Sequence, residues 1–562
     1  MPSIQRHRSG IPRAGLNAGR LRTAGRHSAR HARPAPGGAA YGTTTLLRLH
    51  ARTGWRPLLG WPLGLAGLVV ATGRSIVALY PGESDRLAYA ASVSVSPGAV
   101  AFNGKWTDLE TVGGITTNEV GFLGLLLFPV AGVLLAIGRT RREEDSGRIE
   151  ILTARPVGRL APLAAGALAV AASIGLFGVL SACGLAAVGL PPGGAIRYAA
   201  LLASYALAWA GIGLLCAEVS RDARTASGLG LALVLAVFVA KAVIDGAGWR
   251  LAWATPMGWL PEAAPFGSAR WWPYAALLAL AAATTALAVL TAARRDLSGG
   301  LLAPRSGPAH GSARLGTPFG YAWRLTRGAA LGWLAGLVVW GAAIGSLTAD
   351  MTEIVRTNPQ LLEVLGVERP EDLITSLTGT LAALGAAALA VQGVGRLAGE
   401  EDSGRLGLVL AAAGSRRRLW IAWGLVLVAD IVAVLVVQAL AFGATAWWAT
   451  GAAGDLTASL GAALVLAVGA LFVLALALAI RAVLPQAAGV VWAVIGWSAI
   501  VGFLAETLDL PGWARDCSPF HLVGQVPVDD PRWPAVGGLA VATLVLAVAS
   551  VAGIERRDLR RG

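Results

Sequence analysis

Stretches of about 20 apolar residues alternate with short polar segments from about residue 57 almost to the end of the chain. That length matches a helix crossing a hydrocarbon core of about 30 Å at 1.5 Å per residue. The pattern predicts spans at about 57–80, 119–138, 160–189, 198–217, 227–246 and 274–293. Six more follow at about 329–348, 377–396, 419–441, 457–480, 486–506 and 535–554. The expected fold is therefore an all-α polytopic membrane protein of about 12 helices. Two dense islands of charge interrupt the apolar pattern, Arg139–Arg159 after the second span and Glu400–Arg416 after the eighth.

The order of signals in the first half recurs in the second. Arg324-Leu325 with Gly332-Trp333 repeat Arg48-Leu49 with Gly54-Trp55, and Glu400–Arg405 repeat Glu143–Arg148. Arg481 and Gly489 answer Arg221 and Gly228, Ser518-Pro519-Phe520 answer Thr255-Pro256-Met257, and Glu555–Leu559 answer Ala293–Leu297. A preserved order of this kind is the mark of tandem duplication. Residues 1–40 read as a disordered basic tail, 41–297 as the first six-helix half, 298–318 as a Gly, Pro and Ser-rich linker, and 319–562 as the second half. An even number of spans per half gives repeats of parallel orientation.

Composition sharpens this picture at three points. Only 14% of the 562 residues are charged, against about 25% in soluble domains, and 55% are hydrophobic. The net charge of +14 comes almost wholly from arginine, the lysines being Lys105 and Lys241. In a membrane chain the positive-inside rule accounts for that excess, which places the islands, the linker and both termini in the cytoplasm of a cell-membrane protein. No nucleic-acid partner is expected. Residues 1–40 hold eight arginines and no acid, a tail suited to anionic lipid, and no apolar h-region follows directly, which argues against a cleaved signal peptide. Residues 46–55, basic and aromatic, suit a helix lying in the interface. The polar residues 81–118 are expected outside, and the Trp and Pro-rich residues 255–273 as an interfacial element rather than core. Cys183, Cys216 and Cys517 have no metal-site spacing.

The first island needs more than anchoring to explain it, because an anchor gains nothing from four acids. Glu144 stands four residues before Arg148, the favourable order for a helical pair, Ser146 or Asp145 can cap the following turn, and Pro156 stops it. The expected element is a short amphipathic helix below the membrane. Its pattern E-x-x-G-x-x-E-x-L-x-x-x-P-x-x-R is carried by Glu144, Gly147, Glu150, Leu152, Pro156 and Arg159, with Glu143 adjacent. This resembles the first cytoplasmic loop of ABC-2 type exporter permeases. The fused twelve-span layout and the E-E-D-S-G-R tract in both halves are similar to the actinobacterial polyketide-antibiotic exporter permeases of the tetronasin-resistance type.

The resemblance implies that Glu143, Glu144, Gly147, Arg148, Glu150, Pro156 and Arg159 dock a separate ATPase subunit, in two copies per chain. In the second island Glu400, Glu401, Gly404, Arg405 and Arg416 remain, but Gly407 replaces the Glu and Ala413 the Pro, which predicts the weaker coupling. No G-x-x-x-x-G-K-[ST] occurs, so ATP and Mg are expected on the partner and no cofactor on this chain. The implied function is the transport subunit, not the enzyme, of an ATP-driven exporter of hydrophobic or amphipathic, antibiotic-like molecules.

Charges inside the spans keep other readings open. Asp430 lies mid-span and suits contact with cargo, relay of a proton or a bond to a neighbouring helix; its first-half counterpart, near Ser173, is uncharged. Lys241 and Asp245, four apart near the end of span five, most simply pair with each other. Glu506 and Asp509 can reach the interface, and His521 stands alone. An ion-coupled secondary transporter would use Asp430 and the Lys241/Asp245 pair, and a membrane scaffold or sensor would use the loops alone.

Overall fold

The computed structural model describes residues 38–94, 100, 103–147, 157–246, 248–294, 316–356, 369–413, 415–505 and 510–557. Among these there is no strand, and 12 helices are long and apolar enough to cross a membrane. Spans one to six are Trp55–Leu79, Val112–Arg139, Ala161–Ala187, Pro192–Val219, Ala223–Gly246 and Trp272–Arg294. Spans seven to ten are Pro318–Arg356, Pro370–Asp402, Arg416–Thr450 and Gly454–Val483. Span eleven enters through a 3-10 turn, Pro485–Val490, before the helix Val491–Leu504, and span twelve is Trp533–Arg556. Each lies where the apolar pattern put it.

Two apolar cores form, one from residues between Leu65 and Ala288 and one from residues between Ala322 and Ile554. Every extensive helix pairing among the described residues joins helices of the same half. Spans two, four and six make the tightest set in the first, and spans seven, nine and ten in the second. Apolar lipid gives helices little reason to associate, so close approach has to come from small residues. Gly345 of span seven supplies one such approach, since a Cβ there would sit 2.4 Å from the Phe442 carbonyl of span nine.

Three elements depart from the expected outline. The polar stretch after span one contains a helix, Glu83–Ser94, and sends Trp106 and Leu109 into the first core. Arg86 ties this lobe down, donating to the carbonyls of Tyr80 at 3.2 Å and Glu110 at 3.1 Å. The segment around the short helix Trp259–Glu262 also joins the core, burying Met257 and Leu260, because its apolar residues face the ends of spans rather than lipid. Finally, the interfacial helix Thr43–Thr53 precedes span one as expected, whereas span seven runs as one helix of 39 residues with no break at its start.

Candidate functional site

The two E-E-D-S-G tracts fold into the same turn. Gly147 and Gly404 take φ of 72° and 73°, a left-handed backbone that glycine adopts without the penalty of a Cβ. The Gly147 amide donates to the Glu144 carbonyl at 3.0 Å, and the Gly404 amide to the Glu401 carbonyl at 2.9 Å. Ser146 Oγ donates to the Glu143 carbonyl at 2.7 Å, and Ser403 Oγ to the Glu400 carbonyl at 3.2 Å. The glycine and serine of the repeat therefore terminate a helix, a backbone task that the docking reading did not assign to them.

The acids of the tract turn inward. Glu144, 9% exposed, accepts from Arg141 Nη1 at 2.6 Å, while Arg141, 1% exposed, also donates to the Ser220 carbonyl at the end of span four. A break at Thr140 separates span two from the short helix Arg141–Asp145. Asp145 Oδ2 accepts the Ala223 amide at 2.6 Å and so caps the N-terminus of span five rather than the turn that follows it. Asp222 caps the same helix through the Thr225 amide at 2.9 Å. Burial pushes the Asp222 carboxyl up, but hydrogen bonds from Thr225 and the charge of Arg224 outweigh it and hold the group below its usual range.

In the second half the same job is done with the charges rearranged. Glu401, 4% exposed, accepts from Arg481 Nη2 at the end of span ten, at 2.7 Å, and from Arg557 beyond span twelve. Asp402 lies 3.6 Å from Arg481 as well. Arg557 Nη1 donates to the Arg481 carbonyl at 2.7 Å, and its own carbonyl accepts from Arg416 at 2.9 Å. Glu400 is held by Arg405 at 2.9 Å and by the Tyr321 hydroxyl at 3.0 Å. Arg141 stands two residues before Glu143, and the matching place before Glu400 is Ala398. The arginine has moved from the island's own helix to the span opposite, and the buried pair survives.

What stays open to solvent is narrower than the charge pattern suggests. Arg142, Asp145, Ser146 and Arg159 are exposed in the first island, and Asp402, Ser403, Gly404, Arg405, Gly407, Leu408 and Arg416 in the second. Leu408, 75% exposed, sits on the helix Arg405–Ala413 that follows the second turn. Arg148, Glu150, Leu152 and Pro156 lie outside the described residues, as do Glu506 and Asp509.

The interfacial helix braces the first turn at both ends. Its Gly54 lies under the Arg139 side chain, where a Cβ would meet Nη1 at 1.7 Å. The Gly158 and Leu160 amides donate to the carbonyls of Tyr41 at 2.8 Å and Ala39 at 2.9 Å. Leu46 packs with Ala161 and Ala165 of span three. His50 lies beside Arg139 and Glu143; burial and the Arg139 charge hold its imidazole below the ordinary value, against the pull of Glu143.

Among the intramembrane charges, Lys241 and Asp245 pair as expected, at 3.1 Å with Lys241 1% exposed, under the backbone near Gly104. Asp430 is buried beside Thr326 of span seven, and its Oδ2 has no hydrogen-bond partner. At the matching place in the first half Ser173 donates to the Leu58 carbonyl at 2.7 Å. His521 lies 3.9 Å from Asp516.

Twelve apolar helices in two cores, with charged turns locked onto the ends of neighbouring spans, define a multi-pass membrane protein. The family profile described as the C-terminal domain of the multidrug efflux system permease Rv1217c matches residues 315–554. The multidrug efflux system permease protein Rv1217c of Mycobacterium tuberculosis (strain ATCC 25618 / H37Rv) is 30% identical over 548 residues, 94% of this chain and 97% of that protein. The chain belongs to this family of efflux permeases and is the permease component of an exporter, a transport subunit rather than an enzyme.

Proposed function

We propose that the chain is the membrane subunit of an ATP-driven exporter of the ABC-2, tetronasin-resistance type. A separate ATPase, in two copies, binds ATP and Mg and docks on the two charged turns. Both termini and both turns face the cytoplasm in this reading, following the arginine excess. The cargo is hydrophobic or amphipathic and, by the name of the relative, drug-like.

One observation carries the reading. Each turn is joined to the ends of other spans, to span four through buried Arg141 and to span five through Asp145, and to spans ten and twelve through buried Glu401. A load applied to the turn is thus delivered to several helices together, as a motor outside the membrane requires. The docking face in this reading consists of Glu143, Gly147, Arg148, Glu150 and Arg159 of the first island and Arg405 and Leu408 of the second, of which Arg159, Arg405 and Leu408 are exposed. Glu144, Glu401, Glu400 and Arg416 hold that face in place, and Pro156 belongs to the same docking segment in this reading.

The test is co-purification of the chain with its ATPase, together with ATP-dependent uptake of a lipophilic dye into inside-out vesicles in the presence of an uncoupler. Uptake that persists supports the reading. Uptake abolished by the uncoupler favours the ion-coupled alternative, for which the partnerless oxygen of buried Asp430 is the supporting observation.

A further inference from the structure

We propose that Arg48, Arg52 and Arg56, with Trp55, form a binding site for an anionic phospholipid headgroup, and that the bound lipid fixes the position of the first charged turn. The site is built on the helix Thr43–Thr53 and the start of span one. At 100° per residue, Leu46 and His50 fall on one side of that helix, and both are turned toward span three and the turn. Arg48 and Arg52 fall on the other side and are exposed, and no acid lies between Gly38 and Tyr80 to neutralise them. Across the Gly54 hinge, the Arg56 guanidinium stands 5.9 Å over the Trp55 ring. Leu49, 39% exposed, and Trp55, 51% exposed, lie beside the arginines, so apolar and aromatic surface meets cationic surface along one edge.

The occupant follows from that chemistry. A row of exposed arginines bordered by an exposed leucine and tryptophan, at the end of a membrane span, lies where headgroup meets acyl chain. A zwitterionic headgroup offers no net charge to three guanidinium groups, while an anionic one does.

The helix that would carry the lipid also holds both ends of the first turn. Arg139, where the turn begins, packs over Gly54, and Gly158 and Leu160, where it ends, are bonded to residues 39–41. Lipid that pins the helix at the interface therefore pins the turn. Among the described residues the second half shows no separate helix before span seven, which runs unbroken from Pro318. This lipid dependence is that of the first turn, whatever the energy source of transport.

The experiment uses the full chain, delipidated in neutral detergent, titrated with phosphatidylglycerol and with phosphatidylcholine of the same acyl chains and followed by native mass spectrometry. Phosphatidylglycerol is expected to bind the more tightly, and Arg48→Gln with Arg52→Gln to weaken it by roughly fivefold per arginine. Arg250→Gln, exposed on the opposite side, leaves it unchanged. Phosphatidylglycerol should also slow hydrogen exchange at residues 43–53 and 141–147 in the native chain and not in the double variant. Arg48→Lys with Arg52→Lys, which keeps the charge, should restore binding and so separates lost charge from lost fold. Equal binding of the two lipids, unchanged binding in the double Gln variant, or loss of binding in the Lys variant overturns the proposal.

Discussion

Arg481 and Glu401 meet at 2.7 Å with side chains 6% and 3% exposed, joining the end of span ten to the end of span eight. Removing one member of a buried pair strands the other charge, at a cost of about 3–5 kcal/mol, whereas replacing both by apolar residues is often neutral. Glu401→Gln and Arg481→Met should each lower the apparent Tm strongly, and the double variant should recover part of the loss, Arg557 still lacking its Glu401 partner. A double variant as unstable as the singles would show that the pair is not acting as a unit.

The first half makes the matching contact from within its own helix, which leads to a charge-relocation test. Glu144→Gln should destabilise the first half in the same way as Glu401→Gln does the second, as read by hydrogen exchange over residues 192–246. Glu150→Lys should leave that exchange unchanged and weaken ATPase co-purification. Loss of co-purification in Glu144→Gln with native exchange would return Glu144 to the docking face.

Left-handed backbone at Gly147 and Gly404 makes both positions costly for any other residue. Alanine at either should cost roughly 1–2 kcal/mol, with asparagine milder. No atom crowds either position, so the cost comes from conformation and not from a clash. An apparent Tm within experimental error of the native chain for both alanine variants would rule out the turn as drawn.

Gly158 is constrained differently, because a Cβ there would lie 2.3 Å from the Ala39 carbonyl. Gly158→Ala should detach the interfacial helix from the first turn, at about 1–3 kcal/mol of local stability. Faster hydrogen exchange confined to residues 43–53 is the expected readout.

Acid should have a similar local effect through His50. Its folded pKa lies below the ordinary value of 6.5, so between the two values the unfolded state binds more protons and stability rises with pH. The contribution is complete above about pH 6.5 and is lost as pH falls toward the depressed folded value. Exchange at residues 43–53 should accelerate between pH 7.5 and pH 5.5, and His50→Gln should flatten that response.

The spans were legible because bilayer thickness sets a minimum length for every crossing helix. The Lys241–Asp245 pair was legible too, since four residues on a helix leave two opposite charges little choice. The inward turn of Glu144 and Glu401 was not. Their partners arise from the Thr140 break in one half and from Arg481 and Arg557, far along the chain, in the other, and nothing local announces either. Met257 was misplaced for a related reason, because a Trp and Pro-rich neighbourhood in sequence says little about which side chain tucks between span ends.

The unbroken helix Pro318–Arg356 has a mechanical corollary. Its 39 residues rise about 58 Å, nearly twice the hydrocarbon thickness of about 30 Å, more than one crossing requires. Pivoting such a rod by about 10° at its foot, where Tyr321 grips Glu400, sweeps the far tip through roughly 10 Å. Moved as a rigid rod together with span nine, this helix would turn a small displacement on one side of the membrane into a large one on the other.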